Sequence, residues 1–131
     1  SYLFMNRLWN EYIAELCKDA QTDEHRLQRL ITADFHGAIL RVVKAKNASL
    51  VGKEGIVIQE TKNVFVIVEK SRPRRCTILK KLCLFSMDIP RGKSEQQRQQ
   101  TIFLSGPAIA LRPEQRGQKR VTQIDYLDEF C

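Results

Sequence analysis

Basic side chains are the groups of this sequence best placed to do chemistry, and the chemistry they suit is phosphate binding. Lys70, Arg72, Arg74 and Arg75 surround Pro73 in one turn, and Lys80 and Lys81 follow the next short apolar run. Arg112, Arg116, Lys119 and Arg120 follow a later one. A planar guanidinium bridges two phosphate oxygens, and a hairpin tip projects several cations together. Arg72, Arg74, Arg75, Lys80, Lys81, Arg112, Arg116, Lys119 and Arg120 are therefore the candidate contacts to a polyanion. Charge placement agrees. Residues 1–34 carry a net −2, residues 35–120 a net +12 and residues 121–131 a net −3. A basic centre between acidic flanks suggests nucleic acid. Few aromatics interleave with the cations, and Phe65 and Phe85 fall in strand-like runs as core residues. That pattern favours folded RNA read by shape and phosphate over base stacking.

Catalysis by the chain itself finds little support. His25 and His36 stand apart, and neither adjoins a nucleophile; His36 before Gly37 reads as a turn residue. No nucleophile elbow, zinc-protease helix or phosphate loop occurs. The carboxylates from Asp34 to Glu114 form no pair suited to Mg²⁺. Cys17, Cys76, Cys83 and Cys131 match no zinc spacing. They suit a reducing compartment, with Cys76 and Cys83 acting as small apolar residues. The expectation is no metal and no cofactor on this chain. No apolar run is long enough for a membrane helix, and no signal peptide is visible. The opening Ser suggests that an N-terminal part is missing.

The elements that must position the cations read as a small β-barrel. Gly52 and Gly55 precede the apolar run Ile56–Ile58, and a Lys62-Asn63 turn leads to Val64–Val68. Glycines opening a β-branched run indicate a sharp bend into a curved strand. Strands are expected at 37–46, 54–60, 64–69, 76–80, 82–87 and 101–104, with a short closing strand at 108–111. Residues 90–100 read as a loop. Gly37, Gly52, Gly55, Asn63 and Gly106 are the expected structural turn positions. Ahead of the strands, residues 3–20 read as a helix whose doublets Leu8-Trp9, Tyr12-Ile13 and Leu16-Cys17 recur every four residues. A second helix is expected from about Asp23 to Ala33, capped by Thr22. The tail after Thr122 suggests another short helix. The fold class is thus mainly β: a six- to seven-stranded, strongly twisted antiparallel Sm-like barrel with N-terminal helices and a short C-terminal helix. It divides as a helical flank (1–34), a barrel (35–120) and a tail (121–131). The first helix carries a stripe broad enough to serve a partner as well as the core. Leu8, Trp9, Tyr12, Ile13 and Leu16 are the partner-binding candidates. Within that set, Ile13 and Leu16 are expected to hold the barrel, and Trp9 and Tyr12 to face the partner.

These residues resemble a known family. The order Leu8-Trp9-x-x-Tyr12-Ile13, Ala33-Asp34-Phe35-His36-Gly37-Ala38, Val51-Gly52-x-x-Gly55-Ile56 and Gln59-Glu60-Thr61-Lys62 looks like the Pop-four family. This is the Sm-like-barrel protein subunit of ribonuclease P and ribonuclease MRP. Leu79-Lys80-Lys81, Phe85, Ser105-Gly106 and Leu111-Arg112 continue the match. The resemblance implies a non-catalytic subunit that binds the catalytic RNA and a zinc-ribbon protein subunit. It implies support of 5′ cleavage of precursor tRNA, which can lie near the chain, and a role in rRNA processing. It also implies Mg²⁺ at the RNA and a nuclear or nucleolar home. The rival readings are a ribosome-associated KOW- or SH3-like barrel and a small metal-dependent nuclease.

Overall fold

In the computed structural model, which describes residues 2–90 and 99–110, the strands form one antiparallel sheet. They are β1 (Ile39–Ala45), β2 (Glu54–Glu60), β3 (Val64–Glu69), β4 (Arg75–Leu79), β5 (Cys83–Pro90) and β6 (Gln99–Ser105). Their spatial order is β4-β3-β2-β1-β5-β6. Val, Ile and Phe dominate β2 and β3, the residue types that pack best on a pleated surface. Two bulges bend the sheet. One extra residue lies between Val42 and Lys44 on β1, and one between Val57 and Gln59 on β2. A bulge sharpens local twist and curls the sheet around its apolar face.

The two outer strands meet through turns. A 3-10 turn at Lys80–Leu82 carries the chain from β4 to β5, and a single helical turn, Gly106–Ile109, packs on it. Residues 108–111 were expected to close the barrel as a strand. A helical turn stands there instead, Gly106–Ile109, and Pro107 in its first turn suits a helix start because its φ is fixed and its missing N–H is not needed there. Gly106 lies flat against the Lys80 carbonyl, where any Cβ would overlap it. The expected loop at 90–100 is also shorter at both ends, since Pro90 and Gln99 pair across β5 and β6. The expected helix after Thr122 lies outside the described residues.

Helix α1 (Tyr2–Leu16) ends four residues earlier than its apolar period suggests. Helix α2 (Asp23–Ile31) starts where Thr22 accepts a hydrogen bond from the His25 N–H. Helices and sheet share one core. Phe35, Phe65 and Phe85 stack edge to face, with centroids 5.7 and 5.4 Å apart. Trp9, Ile13, Leu30 and Ile31 pack into the same cluster.

The doublets of α1 divide cleanly. Trp9, Ile13 and Cys17 turn inward, while Leu8 and Tyr12 line up with Phe4 on the exposed face. The inner line is stapled to the 34–37 turn. Trp9 Nε1 donates to the Asp34 carbonyl at 2.7 Å, and Asn6 Nδ2 donates to the Gly37 carbonyl at 2.9 Å. Gly37 has φ +93°, and a Cβ there would stand 2.8 Å from the Met5 carbonyl oxygen. His36, read as a turn residue, is one: its N–H donates to Asp34 Oδ1 at 3.0 Å.

Candidate nucleic-acid interface

The structure does not gather the expected cations into one site. Arg72 and Arg74 lie at the tip joining β3 to β4, Arg75 opens β4 beside it, and Lys80 and Lys81 follow the far end of β4. The length of β4 sets Arg75 and Lys80 roughly 17 Å apart. Arg112, Arg116, Lys119 and Arg120 lie outside the described residues.

Around the β3–β4 tip, carboxylates hold most of the positive charge. Arg41 donates to both Asp88 oxygens at 3.2 Å, to Glu54 at 3.2 Å and to the Ser86 hydroxyl. Lys70 reaches Glu54 at 3.1 Å. Glu69 accepts from Lys53 and from Arg74, each at 2.8 Å. Thr101 Oγ1 donates to Asp88 at 2.6 Å. The result is a ladder of hydrogen bonds and ion pairs crossing the sheet from β6 to the tip. Hydrogen bonds from Lys53 and then Arg74 hold the Glu69 carboxyl below its ordinary value. Those from Arg41 and then Thr101 do the same for Asp88. Arg72 and Arg75 are exposed and enter no ion pair among the described residues.

Lys80 corrects the reading of the sequence. It was a candidate phosphate contact, yet its side chain is fully buried. Nζ donates to Glu60 Oε2 at 2.7 Å and to the Ile109 carbonyl at 3.1 Å, and lies 4.6 Å from the centre of the Phe65 ring. The Glu60 side chain is also sealed from solvent. This pair joins the β2–β3 hairpin, the Lys80–Leu82 turn and the Gly106–Ile109 turn; it cannot touch RNA. Lys81, its neighbour, is exposed.

Of the partner-binding candidates, Trp9 and Ile13 are buried and face the chain's own core, so neither meets a partner. Trp9 was expected outside; its indole N–H is satisfied by the Asp34 carbonyl instead. Leu16 is half-buried against the core. Leu8 and Tyr12 remain exposed. Sequence reasoning missed Phe4, 55% exposed and one turn before Leu8 on the same face. The four-residue spacing of Phe4, Leu8 and Tyr12 was the available signal.

The glycine positions are structural for two reasons. Gly52 has φ +88° with open space where a Cβ would go. Gly55, expected at a turn, has no positive φ; it sits inside β2 directly against the Val68 carbonyl of β3. The β2–β3 turn closes with the Thr61 N–H donating to the Val64 carbonyl at 2.9 Å, and neither Lys62 nor Asn63 has a positive φ. Among the described residues no three His, Cys, Asp or Glu side chains converge on a metal-sized site, and no helix is long and apolar enough to cross a membrane.

Fold and charge together define a small basic β-barrel with a helical cover. The chain belongs to the ribonuclease P/MRP subunit p29 family, whose model matches residues 28–119. It is 35% identical to ribonuclease P protein subunit p29 of Bos taurus, over 97% of this chain and 55% of that protein. It is 38% identical to the RNases MRP/P 32.9 kDa subunit of Saccharomyces cerevisiae, over 63% of this chain and 32% of that protein. It is 33% identical to ribonuclease MRP protein subunit POP4 of Arabidopsis thaliana, over 65% of this chain and 28% of that protein. The chain thus spans about half the length of the p29 relative it matches.

Proposed function

We propose that this chain is an RNA- and protein-binding subunit of ribonuclease P, and of ribonuclease MRP, that does not itself cleave RNA. It supports 5′ maturation of precursor tRNA and processing of rRNA in the nucleus and nucleolus. The RNA subunit, with Mg²⁺, performs the phosphodiester hydrolysis. Membership of the p29 family, on a basic barrel, carries this reading. The strand carboxylates support the non-catalytic part. Glu54, Glu69 and Asp88 are committed to cations of the ladder, and Glu60 to buried Lys80. The exposed line Phe4, Leu8 and Tyr12 supports docking of another protein subunit, of the zinc-ribbon type.

The test has two arms. Tagged chain purified from cells should bring down a discrete structured RNA and precursor-tRNA cleaving activity. The pure chain with Mg²⁺ should leave precursor tRNA intact. Cleavage by the pure chain, or a complex lacking both RNA and activity, refutes the proposal.

A further inference from the structure

The barrel has a second basic end that the arginine-rich tip obscures in the sequence. The Lys80 N–H donates to the Asn63 carbonyl at 2.8 Å, and the Lys46 N–H donates to the Leu82 carbonyl at 3.0 Å. Lys81 lies between these two bonds. Bonded backbones stand about 5 Å apart and successive Cα atoms 3.8 Å, so the backbones of Lys46 and Lys62 lie no more than about 13 Å from that of Lys81. Lys44, paired with Leu84 on β5, sits two residues from Lys46. All four side chains are exposed, and none enters an ion pair among the described residues.

The two ends differ in what an approaching phosphate meets. Near the tip, Glu54, Glu69 and Asp88 bind the local cations and repel an anion. At the lysine end the nearest strand carboxylate is Glu60, withdrawn into the core beneath Lys80. The supporting turn is also rigidly held, by that buried pair and by Gly106 against the Lys80 carbonyl. Among the described residues the exposed aromatics, Tyr2, Phe4 and Tyr12, all belong to α1, so none of these stands on the turns and strands that carry the lysines. Cations without stacking partners suit a sugar-phosphate backbone rather than unpaired bases.

Resting on the RNA-binding reading above, we infer that Lys44, Lys46, Lys62 and Lys81 form the surface that grips the backbone of duplex RNA, and that the β3–β4 tip is the lesser contact. The test titrates the full chain against a fully paired RNA hairpin between about 50 and 200 mM salt. The triple variant Lys46→Gln, Lys62→Gln, Lys81→Gln should lose roughly tenfold or more in affinity. Its log–log salt slope should shrink by about two to three units, at 0.7–0.9 per contact. The variant Arg72→Gln, Arg75→Gln should change both far less, and both should melt like the parent chain. If the triple variant is less stable, the three single variants carry the test, each with about one-third of the slope change. Parent-like binding by the lysine variant, with weakening by the tip variant, overturns this inference and leaves the proposed function standing. Displacement by poly-glutamate as readily as by RNA assigns the lysines to an acidic protein and also overturns it. An unmodified chain without salt-dependent RNA binding overturns both.

Discussion

Replacing Lys80 by Met should unfold the barrel more readily and should not act through RNA. The ammonium is buried, bonded to Glu60 at 2.7 Å and to the Ile109 carbonyl at 3.1 Å. Methionine keeps the apolar stem but removes the ammonium that pairs with the Glu60 carboxylate in the core. Removing one member of such a pair costs about 3–5 kcal/mol. For a domain of this size about 1 kcal/mol moves the melting temperature by roughly 4 °C, so a fall of about 12–20 °C is expected. Glu60→Leu alone should cost a similar amount. The double variant should cost far less than the sum, because a well-packed apolar pair often matches a buried ion pair. What remains is the loss of the charged Lys80 hydrogen bond to the Ile109 carbonyl, at about 1.5–3 kcal/mol. Urea denaturation of all four proteins gives the coupling energy directly. A loss under about 1 kcal/mol for Lys80→Met, or additive losses in the double variant, would refute the buried-latch argument. A smaller salt slope for RNA with unchanged melting would restore Lys80 as a phosphate contact.

Other positions give contrasting outcomes. Gly55→Val should abolish folding, since its side chain would enter the β3 backbone; Gly52→Ala should cost only about 1 kcal/mol, for its positive φ. Thermal melts of the two variants compare them, and equal losses would count against the distinction. Phe4→Asp with Leu8→Asp should leave melting unchanged and abolish co-purification of other protein subunits, whereas Trp9→Ala should cost about 3–5 kcal/mol through its cavity. Normal assembly of the folded Phe4, Leu8 variant would remove the partner face. Glu69 and Asp88 have folded-state pKa values below their ordinary 4.5 and 3.8. The unfolded chain therefore binds protons first as pH falls. Their contribution is complete above those ordinary values and is lost as pH drops through the depressed ones. Melting temperature against pH should fall on the acid side, and less steeply in Glu69→Gln; parallel curves would contradict this.

The strand plan was open to reading because β2 and β3 are runs of Val, Ile and Phe bounded by glycine and turn residues. Both have the expected limits, 54–60 and 64–69. The Ala108–Leu111 run was too short for period alone to separate strand from helix, and Pro107 decided it. Lys80 and Lys81 are identical in type and adjacent in sequence. Only the fold tells which one meets Glu60, twenty residues away. Arg74 and Lys70 looked like unengaged cations because their partners, Glu69 and Glu54, neutralise them only once β2 and β3 are in place. In α1 the doublets revealed a broad apolar stripe but not its split. Leu8 and Trp9 differ by 100° around the axis, and the 34–37 turn that receives the indole had to be seen. Several residues that carried the family resemblance, Glu60, Lys80 and Gly106, turn out to build the latch rather than an RNA contact.

That latch also sets the order of events on the ribosome. The chain emerges from its N-terminus, so α1, α2 and β1 to β6 are available before Gly106 and Ile109. Until those last residues arrive, the Lys80 ammonium lacks the Ile109 carbonyl and the outer strands lack their joining turn. A nascent chain halted before residue 106 therefore leaves the edges of β4 and β6 without their joining turn, each a template for pairing with another chain. Truncation before Gly106 should therefore favour aggregation over folding.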